Sequence, residues 1–275
     1  MNVNAVRDWR KLVEERGLGD FLVTIEAGVA ELTLDREGAN TIDRTTASEL
    51  AAFIDQAPHS GVRAMLITGA GRHFCVGAAM DAEAGRMADS PIEYRLTYAP
   101  FAQLFEAMWE TETPIVTAVN GSVAGVGWML ALLGDIVVAD SSARWTHLFA
   151  RGAMVPHAGD PFFLSRVIPY RRLTEIALLS EPIDSETLER WNVISRSVAA
   201  PDLMSTARDI AARVAAGPTR TLGLGKQLYR RAMDSSLSQS AADERACVAL
   251  NFTTDDRNEG LTSLLEHRSP KFVGR

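Results

Sequence analysis

The sequence predicts an α/β layered domain followed by a helical C-terminal segment. Short apolar runs such as "VRAMLITGAG" (62–71) have the pattern of buried parallel strands. These runs alternate with stretches of helical periodicity, and no Ser/Gly/Pro linker separates them. From about residue 217 the strand signals stop. With 275 residues the chain is long enough for one large core. Residues 1–216 are therefore assigned to the α/β core and 217–275 to the helical segment.

The elements follow in order. "FLVTIEAGVAELTLDRE" (21–37) alternates apolar and polar residues around Ala27–Gly28, which predicts a hairpin. "TIDRTTASELAAFIDQA" (41–57) carries apolar residues at helical spacing, with Thr41 or Asp43 as the cap. A buried strand over 62–71 comes next, then a helix across about 91–110. "PIVTAVNG" (114–121) predicts a strand, leading through a glycine turn to a helix over about 126–133 and the strand "DIVVAD" (135–140). The segment from Pro218 reads as two or three helices with a turn at Asp255–Gly260.

Composition excludes several classes. A net charge of −7 lacks the electrostatic footprint of a nucleic-acid binder. "YRRL" (170–173) and "YRRA" (229–232) read as solvated helix faces. Cys75 and Cys247 match no metal spacing and are not expected to pair, which suits a reducing compartment. The N-terminal stretch is charged throughout and has no signal-peptide pattern, and the longest apolar run is broken by Gly134 and Asp135. A cytoplasmic protein without membrane, metal or nucleic-acid partner is expected.

Two glycine turns carry the chemistry. "TGAGRHFCVGAAM" (68–80) and "NGSVAGVGWM" (120–129) each follow an apolar strand and are expected to open into a helix. Neither matches a dinucleotide fingerprint or a phosphate loop. Each is either a tight connection or a place where small residues let a ligand approach backbone N–H groups. Two such turns can aim two donors at one carbonyl oxygen, forming an oxyanion hole.

"ITGAGRHFCVGAAMD", "PIVTAVNGSVAGVGWMLALLGDIVVAD" and "TTDDRNEGLTSLLEHRSPKFVGR" together resemble motifs of the enoyl-CoA hydratase/isomerase (crotonase) superfamily. The resemblance runs over about residues 20–275. It implies a spiral core of ββα units, a C-terminal helical segment for trimerisation and site closure, and homo-trimers or hexamers. It also implies an acyl-CoA substrate, with coenzyme A as part of that substrate and no separate cofactor. The two oxyanion donors map to the backbone N–H groups of Ala78 and Val126. Val126 replaces a usual glycine, but the contribution is backbone and survives the change. Ala79 falls where the family has an aspartate.

In hydratases of this family two glutamates handle the added water. Their positions fall on Met129 and, aligned without gaps, on Phe149. A thioether and a phenyl ring cannot shuttle protons, and such groups contribute ~10²–10⁴-fold each. The two-glutamate mechanism is therefore not expected. "MVPHAGDP" (154–161) offers His157 as candidate base with Asp160 orienting it, since histidine titrates near neutrality. Asp160 before Pro161 is equally a helix-start signature. His147 and Glu83 are weaker catalytic candidates, and Trp145 reads as core.

Met129, Phe149, Trp128 and His147 are expected to line a dry acyl pocket suited to a bulky apolar group. Arg36, Ala79 and His267 are the candidate coenzyme A contacts, Arg36 because guanidinium suits phosphate geometry. The favoured reading is stabilisation of a thioester enolate with proton transfer or bond cleavage beside the carbonyl. The alternatives are a catalytically silent acyl-CoA binder and a hydrolase of a cyclic diketone.

Overall fold

A computed structural model describes residues 18–79, 92, 95, 96 and 98–275. The first described strands form the hairpin β1 (Phe21–Glu26) and β2 (Val29–Leu34), turning at Ala27 and Gly28, both with positive φ. Helix α1 (Arg44–Gln56) follows, then β3 (Ala64–Gly69), β4 (His73–Cys75) and α2 (Ala99–Glu110). Next come β5 (Ile115–Val119), β6 (Ser122–Ala124), α3 (Gly127–Leu132), β7 (Ile136–Asp140) and β8 (Arg144–Thr146). The remaining core elements are α4 (Asp160–Val167), α5 (Tyr170–Leu179), β9 (Ile183–Asp184), α6 (Ser185–Arg190), β10 (Arg196–Val198) and α7 (Leu203–Ala215). Three helices close the chain: α8 (Thr219–Ala232), α9 (Leu237–Asn251) and α10 (Asp255–Leu265).

Two sheets result. The larger runs β1-β2-β3-β5-β7-β10 and is parallel except for the opening hairpin; the smaller runs β4-β6-β8-β9. Each of β3, β5 and β7 passes through a short turn into a three-residue strand of the second sheet. The expected direct step from strand to helix is corrected here, because β6 intervenes between β5 and α3, and β4 follows β3.

The period of two decides where the core sits. Every residue of β3 is buried. Met65 and Ile67 face the main core, while Leu66 joins Val116, Ala118 and Val138 against Leu203, Ala207 and Ile210 of α7. Burial on both faces is what a continuous apolar run in a parallel sheet requires.

Asp43, not Thr41, caps α1, accepting from the Thr46 N–H at 2.8 Å. Burial works against its carboxylate, but the Thr46 and Arg36 hydrogen bonds outweigh it and hold the pKa below the ordinary value. A depressed carboxylate pKa stabilises the fold above the unfolded value and stops doing so as pH falls through the folded one. Asp43→Ala is expected to cost about 1 kcal/mol at neutral pH. Urea denaturation checks this, and the difference from wild type should shrink below about pH 4.

The C-terminal helices dock by polar contacts. Asp135, in the turn before β7, accepts from the Ile115 N–H and bridges Lys226 (2.9 Å) and Arg230 (2.7 Å) of α8. Burial is the main cause pushing Lys226 down to about 8. The expected turn at Asp255–Gly260 is corrected: those residues open α10, with Thr254 as cap and Asp255 and Asp256 in the first turn. Asp and Asn in a row signal a loop, but acidic residues also favour the positive end of a helix. Asp256 is buried and accepts from the N–H groups of Val273 and Gly274, which fastens the tail.

Candidate active site

The parallel pairing of β4 with β6 brings the two glycine turns together. Gly77 (φ +117°) and Gly125 (φ +51°) lie back to back: a Cβ on Gly125 would stand 3.5 Å from Gly77 Cα. Both φ values lie in the region where side chains are disfavoured. Gly127 is tighter still, since a Cβ there would meet the Cys75 carbonyl oxygen at 2.1 Å. Asn120 fixes the turns from below. Its Oδ1 accepts from the Gly69 N–H, and its Nδ2 donates to the Gly71 carbonyl, while Asn40 donates to the carbonyls of Ala70 and His73.

Ala78 and Val126 follow the two glycines directly. Ile42 donates to the Gly77 carbonyl and accepts from the Ala79 N–H, so Ala78 presents its own N–H away from that bridge. Among the described residues, neither the Ala78 nor the Val126 N–H has an acceptor. Val126 is buried and Ala78 half-buried, and buried backbone donors are nearly always paired, so an open pair on abutting turns is conspicuous. Cys75 lies beneath them; burial pushes its thiol up to about 12, so it stays protonated and is no nucleophile.

Beside the turns runs a ladder of rings in contact. Trp145 meets Trp128 at 5.3 Å between centroids, and Trp128 meets His147 at 6.4 Å. His147 packs on Phe149 at 4.9 Å, Phe149 on His157 at 4.8 Å, and His157 on Tyr98 at 4.7 Å. All are edge-to-face, the preferred arrangement. Met129 and Phe149 are both buried, so the two positions are apolar in place as well as in sequence.

The expected His157–Asp160 pairing is corrected. Asp160 Oδ2 stands 3.0 Å from His147 Nε2, and both side chains are almost fully buried. Asp160 is the first residue of α4, after Gly159 at φ +81°, and its carboxylate makes no capping bond. His157 is oriented instead by the Val155 carbonyl, 2.8 Å from its Nδ1. That contact assigns the proton to Nδ1 and leaves the lone pair of a neutral ring on Nε2.

The remaining expected contacts are dispersed. Arg36 is clasped by Asp20 (2.9 Å) and Asp43 (2.7 Å), so it ties the hairpin to α1 and is not held ready for a phosphate. His267 sits exposed past the end of α10, with φ +54°. Ala79 has its N–H taken up by Ile42. Glu83 lies outside the described residues. Among the described residues no group of His, Cys, Asp and Glu is arranged to hold a metal, and no helix is long and apolar enough to cross a membrane. Sequence reasoning missed Asn120, Tyr98 and the Val155 carbonyl. Only Asn120 left a signal, as the "NG" that closes β5.

Comparison with known proteins agrees with this architecture. The family model described as enoyl-CoA hydratase/isomerase matches residues 24–275. The chain is 33% identical over 263 residues to 1,2-epoxyphenylacetyl-CoA isomerase of Escherichia coli (strain K12), covering 93% of this chain and 99% of that protein. It is 29% identical over 259 residues to carnitinyl-CoA dehydratase of Proteus mirabilis, covering 92% and 98%. The crystal structure of enoyl-CoA hydratase from Bacillus anthracis superposes with a TM-score of 0.85 at 25% identity, covering 93% of this chain and all of that one. The glycine turns, the two-sheet spiral and the terminal helices thus have one explanation: the chain belongs to the enoyl-CoA hydratase/isomerase (crotonase) family.

Proposed function

We propose that this protein binds an acyl-CoA thioester and stabilises its enolate between the N–H groups of Ala78 and Val126. The observation that carries the reading is the pair of unpartnered amides on abutting turns. The relatives support the substrate class, since both act on thioesters of coenzyme A by name. Donors placed where charge develops contribute ~10²–10³-fold each. With Met129 and Phe149 at the positions of the hydratase glutamates, the reaction is proton transfer or bond cleavage beside the carbonyl, not two-glutamate hydration.

His157 is the base in this reading, with its Nε2 lone pair aimed by the Val155 carbonyl. Asp160 acts elsewhere, on His147. Met129 and Phe149 offer the apolar side chains that suit a bulky acyl group. Residues 217–275 form the oligomerisation segment of a homo-trimer or hexamer. Tyr229, Leu237, Phe252, Leu264 and Leu265 are large hydrophobic side chains exposed there, which a partner subunit would cover. The two free thiols suit a reducing, cytoplasmic setting.

Thermal shift with butyryl-CoA, paired with NMR of α-proton exchange in heavy water, tests the reading. The thioester should raise the melting temperature and its α-protons should exchange. Binding without exchange would make the chain a silent binder, and no binding would overturn the substrate class.

A further inference from the structure

Two polar atoms in the ring ladder are buried and unpartnered. Trp128 is 0% exposed and His147 1% exposed, and neither Trp128 Nε1 nor His147 Nδ1 has a hydrogen-bond partner among the described residues. Leaving one such group unsatisfied costs about 1–3 kcal/mol, a large share of a domain's stability. The two are complementary. An indole nitrogen only donates. His147 Nε2 directs its proton at Asp160, 3.0 Å away, so in the neutral ring Nδ1 is an acceptor. One donor and one acceptor in one cluster match a single hydroxylic oxygen, which accepts from the first and donates to the second.

Their place in the fold ties them to the oxyanion donors. Trp128 lies two residues beyond Val126 on the first turn of α3. Thr146 of β8 pairs with Ala124 of β6 in parallel register, so His147 comes next to Gly125. Neighbouring strands are about 4.8 Å apart. Both side chains therefore start within a strand spacing or so of the amide that would hold a thioester oxygen. Met129, next to Trp128 in the chain, and Phe149, packed on His147, offer nothing to a polar group.

We propose that Trp128 Nε1–H and His147 Nδ1 form a polar subsite for one hydroxylic oxygen, either a hydroxyl on the β-carbon of the acyl chain or a water at that point. Asp160 is a positioning residue that fixes the His147 tautomer. The subsite rests on the thioester reading above and adds to it a rule for telling acyl groups apart.

Calorimetry with 3-hydroxybutyryl-CoA and butyryl-CoA is the test, together with incorporation of heavy oxygen from labelled water into crotonyl-CoA. A site built to hydrogen-bond a hydroxyl discriminates strongly against the analogue lacking it. If the oxygen belongs to the substrate, wild type prefers the hydroxy-thioester by about tenfold or more, and Trp128→Phe reduces the ratio below about threefold. If it is water, wild type shows no preference but labels the β-carbon, and Trp128→Phe labels about tenfold more slowly. Asp160→Asn, whose amide oxygen still accepts from Nε2, keeps whichever signature wild type shows, and Asp160→Ala loses it. If both Asp160 variants keep it, Asp160 does not position the ring. Binding of both thioesters with equal affinity and no label overturns the subsite while leaving the thioester reading intact. Failure of both to bind removes the two together.

Discussion

Gly127→Ala is expected to lower the unfolding free energy by about 3 kcal/mol and turnover of a thioester by about a hundredfold. The added methyl would lie 2.1 Å from the carbonyl oxygen of Cys75 and 3.0 Å from its carbonyl carbon. Both are backbone atoms of β4, so no side chain can swing aside. Either α3 lifts away from β4 or β4 leaves β6, and each movement displaces Val126 relative to Ala78. Gly125→Ala is the informative contrast. Its methyl meets nothing closer than Gly77 Cα at 3.5 Å, so only the left-handed backbone is penalised, by about 1–2 kcal/mol. Urea denaturation and turnover measured on both variants check the ranking. If Gly127→Ala proves as mild as Gly125→Ala, the turns are not held together as described.

That asymmetry also shows what the sequence made legible. "AGVGW" advertises small residues, but not which glycine has room for a methyl and which faces a carbonyl. The hairpin at Ala27–Gly28 and the strands β3, β5 and β7 were readable because apolar period and turn residues agree over five or six positions. The second sheet was not, since three-residue strands such as His73–Cys75 are too short to show a period. The site followed the same division. Ala78, Val126, Met129 and Phe149 follow from motif positions, whereas the partner of Asp160 does not. His157 is three residues away and His147 thirteen, and sequence proximity favoured the wrong one. The left-handed Ala158 and Gly159 turn the chain between His157 and Asp160, so the carboxylate faces β8 and the imidazole faces α2. The orienting Val155 carbonyl is a backbone group and carries no sequence signal at all.

His157→Ala should reduce turnover of an acyl-CoA by about 10²–10⁴-fold, the usual contribution of a positioned base. The imidazole is only partly buried, and its ring contacts with Tyr98 and Phe149 are the packing at stake. Stability should therefore change by about 1 kcal/mol at most. Met129→Leu tests the other half of the argument. Met129 is buried in the main core, and a volume-conserving swap costs less than about 1.5 kcal/mol. Because a thioether moves no proton, the Leu variant should keep turnover within about tenfold of wild type. The pH profile separates a base from a spacer. Loss of a lone-pair base removes the acidic limb of the kcat/KM profile, while loss of packing lowers the profile without changing its shape. His157→Gln, which preserves bulk and polarity without a titrating nitrogen, should behave like the Ala variant on both measures. If it retains wild-type turnover, the proton passes through another group, and among the described residues His147, held by its buried Asp160 partner, is the next histidine along the ring ladder.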